Sequence, residues 1–373
     1  MGKDFLKRYE GTLNVLGPVF IGSGRELTKR EWILDRKKRT GYILDELKLF
    51  NYLRQRKLLQ SFEAYMLKDK RDLYGWAKEN GIYPEDIGLI SSYTLDCDGV
   101  ADLNTIKGVQ LFIKDGYGLP YVPGSSIKGA FRNVILAMLL NEKPDISLFD
   151  EIVKSAKKQG TRGAKEYLRK EADKLNRTYL HTLERPGTET GNAVNDMMSG
   201  VRVSDSQPLQ HSDLIVCQKV DAHVCGGEKN MPIYRECLKP GTTVRFTLTL
   251  DETVTNLTVN DIENAISSFL MNYNRVFLSK FEEEQQYDGQ VIYIGGGAGY
   301  HTKTVTGSIL EDNRDSVGII SNIIDNTLGR KSRNEHGHSK DEQFGVSPHI
   351  AKLTEYDRGL YQFGSCEVKF REI

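Results

Sequence analysis

Cysteine is scarce: the 373 residues hold five, Cys97, Cys217, Cys225, Cys237 and Cys366, an odd and scattered set. In a chain of this length that excludes a disulfide framework and predicts reduced thiols serving as small core residues. No CxxC pair and no HExxH occurs, so Cys217, His223, Cys225 and Cys237 lack the spacing of a zinc site. No metal and no other cofactor is expected. Apolar runs long enough to span a membrane are missing, and the opening MGKDFLKRYE lacks the apolar core of a signal peptide. A cytoplasmic protein with no membrane contact is expected. Net charge is missing too: 51 Lys and Arg balance 51 Asp and Glu, which argues against a general polyanion binder.

The charge that is present is unevenly placed. Residues 1–60 carry 14 basic against 7 acidic side chains, so the rest of the chain is acidic by the same margin. That asymmetry allows one basic face for nucleic acid.

Strand periodicity appears in TLNVLGPVFIG (12–22), in EWILD and GYILD, in GTTVRFTLTL and in SCEVKFREI, where apolar residues alternate with polar ones. Helical periodicity appears in DELKLFNYLRQRKLL, with Asp45 as N-cap and Leu47, Phe50 and Leu53 on one face. It recurs in SSIKGAFRNVILAMLL, where Ser125 or Ser126 can cap, and in TVNDIENAISSFLMNYNRVFL. Each half of the chain alternates strands with helices, the pattern of an α+β fold built from two ferredoxin-like modules. The thin, polar stretch Pro186–Gly200 reads as a flexible loop and sets a boundary between a domain at 1–190, with a helical insertion, and one at 200–373. The segment Gly329–Gly345 is polar enough to be mobile, and its His336 and His338 are expected in solvent.

Three turns carry candidate chemistry. In PGSSIKGAFR, Lys128 and Arg132 stand four residues apart near a helix start, an arrangement that makes sense if an anion sits there with Ser125 and Ser126. An ordinary capped helix with solvated cations is the competing reading. The second is GGGAGYH, Gly295–His301, where Gly296 and Gly297 allow close backbone approach while Tyr300, His301 and Lys303 offer stacking and hydrogen bonds. A bulge needing positive φ is its alternative. The third is Gly22, Ser23 and Gly24 followed by Arg25. Three glycine or serine turns, each followed by basic residues, favour a long polyanion. None is a triphosphate loop, because Ser23 and Gly24 stand where the Walker A motif needs Lys and Ser or Thr. Asp96 and Asp98 read as turn residues. No aromatic pattern of the base-stacking type occurs, so recognition through backbone and shape is expected.

These residues resemble a known family. YVPGSSIKGAFR, the opening GPVFIGSG, VRVSDSQP (201–208) and the glycine-rich loop are together similar to the RAMP proteins of CRISPR effector complexes. YILDELKLFNYL, VSPHIAKLT and GLYQFGSCEVKF resemble in particular the fifth subunit of the type III-A Csm complex. The resemblance implies two RRM-like domains of RAMP type and a non-catalytic subunit that binds the guide RNA (crRNA). It implies a cap on the crRNA 3′ end, packed against the last repeating backbone subunit, with a role in crRNA maturation in antiviral defence and host nucleases as further partners. Repeat-cutting members of the superfamily instead use a histidine and the RNA 2′-hydroxyl without metal, an alternative for which His301 or His181 would be the catalytic residue.

Overall fold

The computed structural model describes residues 5–68, 71–157, 168–281, 286–310, 314–328 and 337–373. Through them the chain forms two β-sheets, and neither is built from one half of the sequence. Leu6–Val15 (β1), Val201–Val203 (β7), Thr243–Asp251 (β10), Val291–Tyr293 (β11) and Ser365–Glu372 (β14) make a five-stranded sheet in the order β11-β14-β1-β10-β7. Gly22–Thr28 (β2), Trp32–Asp35 (β3), Thr40–Leu44 (β4), Ser91–Asp96 (β5), Gly108–Phe112 (β6), Leu214–His223 (β8) and Glu228–Leu238 (β9) make the second, in the order β2-β6-β9-β8-β5-β4-β3. Ile350–Tyr356 (β12) adds to β8, and Gly359–Gln362 (β13) to β12.

All pairings of the first sheet are antiparallel. Two helices, Gly124–Glu142 (α5) and Val259–Val276 (α8), complete it. Read in chain order, β1, α5, β7, β10, α8 and β14 form a β-α-β-β-α-β unit, with β14 beside β1 and β11 outside it, the ferredoxin-like arrangement. The fold is therefore α+β and sheet-based, as the periodicity implies, but the second sheet is inserted into the first unit. The expected boundary at 190–200 does not separate the two sheets, because β1 from the chain's start lies between β10 and β14.

Alternation decides which face is buried. Leu13, Val15, Val244, Phe246, Leu248 and Val368 face Ile127, Phe131, Val134 and Ile266 of the two helices in one core. The opposite face carries polar side chains, with Glu10 of β1 held between Arg245 (3.1 Å) and Arg371 (2.7 Å) of the flanking strands. Such cross-strand pairs fix register.

Between β4 and β5 lie Glu46–Gln55 (α1), Leu59–Lys68 (α2), Leu73–Glu79 (α3) and Pro84–Ile90 (α4), packed around Leu53, Tyr65 and Trp76 in a small core of their own. Asp45 caps α1 by accepting the Lys48 N–H at 2.9 Å, as expected. The expected apolar face differs: Leu53 is buried, but Leu47 is 70% and Phe50 49% exposed, while Leu49 and Tyr52 pack inward instead. Ile146–Lys157 (α6) and Arg169–Leu180 (α7) follow α5. The segment 186–200 is not a loose loop, because the side chain of the buried Asn195 accepts the Arg185 N–H and donates to the Glu189 carbonyl.

Candidate functional site

The glycine loop after β11 is shaped by the chain's own backbone. Gly295 adopts φ +74°, and a Cβ there would lie 2.1 Å from the Phe20 carbonyl oxygen. The Gly296 N–H donates to that same oxygen at 2.6 Å. Gly364 likewise crowds the Ile294 carbonyl and donates its N–H to Pro18 at 2.9 Å. The three segments around Pro18–Phe20, Gly295–Gly296 and Gly364 thus meet closely enough that only hydrogen fits at two of them. Beyond, Arg235 of β9 lies between the rings of Phe20 (5.2 Å) and Phe363 (5.3 Å). A Cβ at Gly297, φ +94°, would come 2.6 Å from its Nη1. Arg235, Phe20 and Phe363 were not among the sequence candidates. The signal for Arg235 is a cation within the buried C-terminal end of β9, next to Tyr234, Glu236, Cys237 and Leu238.

His301, expected to contact RNA, is turned inward. It is 6% exposed, hydrogen-bonds the Ser347 carbonyl through Nε2 at 2.8 Å and packs on Phe277. Burial pushes its pKa down to about 4, only partly offset by the Ser347 bond. It is an internal anchor of the loop and not a surface contact. Tyr300 and Lys303 do reach the surface cleft described below. Tyr300 Oη and Thr306 Oγ1 lie 2.9 Å apart, and desolvation followed by the nearby Arg235 charge lowers the Lys303 pKa.

The helix start of PGSSIKGAFR finds its anion within the chain. Neither serine caps α5: the Gly124 N–H donates to Asp205 Oδ1 at 2.8 Å, so the carboxylate of VRVSDSQP sits at the positive end of the helix. Gly124 must be glycine, since a Cβ would stand 2.3 Å from the Val203 carbonyl. Arg132 pairs with Asp196 at 2.6 Å and with Asn176 at 3.2 Å. Desolvation lowers the Lys128 pKa, against the attraction of the same Asp196. Ser125 is exposed and Ser126 half-buried.

Two of the three expected turns converge. Ser126 and Arg132 from α5 line one cleft of about 910 Å³ together with Gly295, Tyr300 and Lys303 from the glycine loop. Thr306–Ile309 (α9) and Ser316–Thr327 (α10) close its apolar side through Ile309, Ile319 and Ile323. The third turn lies in another cleft, of about 640 Å³, where Ser23 and Arg25 meet Tyr93 and Lys114. Gly22 packs on the Phe20 ring, so this turn and the glycine loop share one post. Arg25 is also near Glu31 (3.6 Å) and Glu46 (4.0 Å). Asp96 and Asp98 pair with Lys239 (3.5 Å) and Arg39 (2.8 Å).

Of the loosely grouped Cys217, His223, Cys225 and Cys237, the two buried thiols Cys217 and Cys237 lie on neighbouring strands, while Cys225 is exposed. His338, expected in solvent, is buried beside Asp341 and His349, and the three bring a ligand atom each within 4.8 Å of one another. His336 lies outside the described residues. His181 is hydrogen-bonded through Nδ1 to the Thr190 carbonyl at 3.2 Å.

A β-α-β-β-α-β unit whose glycine-rich loop follows its second helix defines a class of protein, and the RAMP superfamily model matches residues 12–300. The chain belongs to the RAMP superfamily. More particularly, it is similar to proteins called CRISPR system Cms protein Csm5: 29% identical to that of Mycobacterium tuberculosis over 98% of both chains, and 29% to that of Streptococcus thermophilus over 81% of both. In structure it resembles a chain of a cryo-EM Csm–crRNA–target RNA ternary complex of a type III-A CRISPR–Cas system. There the TM-score is 0.66 at 20% identity, covering 97% of this chain and 100% of that one. It also resembles crystalline Csm5 of T. onnurineus, with TM-score 0.60 at 21% identity over 83% of this chain and 96% of that one. No described helix is long and apolar enough to cross a membrane.

Proposed function

We propose that the chain is the Csm5-type subunit of a type III-A Csm complex and binds crRNA without cutting it, capping the 3′ end beside the last repeating backbone subunit. The observation that supports this best is the convergence of Ser126, Arg132, Tyr300 and Lys303 on one cleft. Cations and a phenol from two sequence-distant turns suit a phosphodiester strand with an unstacked base. The full-length similarity to Csm5 proteins supports the assembly, as does the likeness to a chain of a Csm–crRNA–target RNA complex. Gly22–Arg25, Ser125 and Lys128 extend the contact surface, and Gly296 and Gly297 shape it from below. Maturation of the crRNA then falls to other nucleases, which this subunit positions by holding the end.

The enzyme reading loses its first candidate to geometry, since His301 is buried and bonded to a backbone carbonyl. Photo-crosslinking of the assembled complex carrying crRNA with 4-thiouridine near its 3′ end tests the proposal. Cross-links to Tyr300 or its cleft neighbours are expected, together with roughly tenfold weaker crRNA retention in Lys128→Ala/Lys303→Ala, steeper in effect at low salt. Cross-links confined to other parts of the chain, with retention unchanged in the double variant, would refute it.

A further inference from the structure

We propose that His338, Asp341 and His349 form a binding site for a divalent transition metal of the zinc class, which fastens the turn Gly337–Phe344 to the start of β12. The three residues are 6%, 0% and 7% exposed, and one ligand atom from each lies within 4.8 Å of the other two. A tetrahedral zinc ion with bonds of about 2.1 Å holds its donors ~3.4 Å apart, so each donor needs to move by less than about 1 Å to close on an ion. Two imidazoles and one carboxylate are a donor set that zinc accepts, leaving a fourth position for water or a further side chain.

The surroundings fit such a site. His338 Nδ1 lies 3.1 Å from Asp341 Oδ2, and His349 Nδ1 contacts Oδ1, so the carboxylate already gathers both imidazoles around it. Ser347 Oγ donates to Asp341 Oδ2 at 2.5 Å, the outer hydrogen bond that orients a ligating carboxylate. His223 stands behind, its ring 5.1 Å from that of His349, with Nδ1 accepting the Cys225 N–H at 3.0 Å. Phe344 packs against both His223 (5.0 Å) and His349 (5.5 Å).

Charge gives the reason for an ion. Asp341 is wholly buried, and among the described residues its ion-pair partners are these two histidines, with no Lys or Arg. With both imidazoles neutral, the cluster would bury one uncompensated negative charge, which is costly. A dication more than offsets it, leaving one positive charge that a bound hydroxide in the fourth position would neutralise. The same cluster reaches the glycine loop, because the Ser347 carbonyl is the acceptor for His301.

The test uses the full-length protein purified without chelator, dialysed against zinc and then against metal-free buffer. One zinc per chain is expected by elemental analysis, with a melting temperature that falls on chelation and returns on adding zinc. Cobalt(II) in its place should give the intense visible absorption of a tetrahedral ion, and His349→Cys should add a sulfur-to-cobalt band in the near ultraviolet. Cys225→Ser and His181→Gln should keep full stoichiometry. Substoichiometric zinc, no tetrahedral cobalt spectrum in the unaltered protein and a melting temperature blind to chelator would overturn the proposal and leave the cluster neutralised by a proton. The unaltered protein's cobalt spectrum decides the matter even if the cysteine variant does not fold.

Discussion

A Cβ on Gly295 would stand 2.1 Å from the carbonyl oxygen of Phe20, at a φ of +74°. Gly299, four residues on, has φ +90° but open space around it. The two glycines therefore separate conformation from contact. Gly299→Ala should cost about 1 kcal/mol, the strain of a left-handed alanine alone. Gly295→Ala adds a clash with the Phe20 backbone carbonyl and should cost at least about 3 kcal/mol. Urea denaturation of the two variants checks this, and equal losses would show that the loop can shift away from Phe20.

Arg132 and Asp196 lie 2.6 Å apart, and if the proposed function holds, this pair tunes RNA binding. Asp196 holds Arg132, which lines the cleft, and attracts Lys128 on the neighbouring turn of α5, so on the proposed function it competes with RNA for these cations. Asp196→Asn keeps an oxygen for the Met198 N–H, which Asp196 Oδ1 accepts at 2.9 Å, while removing the charge. Affinity for crRNA should rise by about threefold to tenfold at low salt, with a log–log salt slope steeper by about one. Filter binding at several salt concentrations measures it. An unchanged slope would place the RNA elsewhere.

How far all this was legible in the sequence depends on the range of the contacts involved. Strands β10 and β14 and helices α5 and α8 follow from alternation and helical spacing, signals contained in ten to twenty residues. That β1 pairs Glu10 with Arg371 across the length of the chain leaves no local trace. For the same reason the cap of α5 was misplaced: Ser125 and Ser126 are adjacent and plausible, while Asp205 is 81 residues away from Gly124. Glycine content reads as close approach by RNA at this loop, whereas at Gly295 it is the chain's own Phe20 carbonyl that comes close. Polar composition around His338 suggested solvent, whereas a buried carboxylate at Asp341 gathers polar side chains inward. Hydropathy records the cost of burying each group alone and misses the compensation between groups.

Glu236 carries another such compensation. Wholly buried, it accepts hydrogen bonds from Lys114 Nζ (2.6 Å), Tyr93 Oη (2.8 Å) and the Phe112 N–H (2.8 Å), joining β9 to β5 and β6. Removing the carboxylate strands a largely buried ammonium and a phenol. Glu236→Ala should destabilise by about 3 to 5 kcal/mol, and the double variant with Lys114→Met should recover part of that loss. Thermal and chemical unfolding of the three variants reads the coupling. No recovery would mean that the Tyr93 and Phe112 bonds dominate.

Proton uptake at His301 gives the loop a pH limit. Its pKa falls from the ordinary 6.5 to about 4 because burial disfavours the imidazolium. The unfolded chain thus takes a proton below about pH 6.5, and the folded one only near pH 4. The neutral ring's contribution is complete above pH 6.5 and is lost progressively as pH falls through that window, with a ceiling on the order of 3 kcal/mol. His301→Gln keeps a donor for the Ser347 carbonyl but cannot titrate, so its stability should fall less steeply than the unaltered protein's between pH 6.5 and 4. Denaturation midpoints across that range check the difference. If the two proteins lose stability in parallel, the acid sensitivity belongs to His223 or to the Asp341 cluster, and His301 is solvated in a state that the buried geometry does not describe.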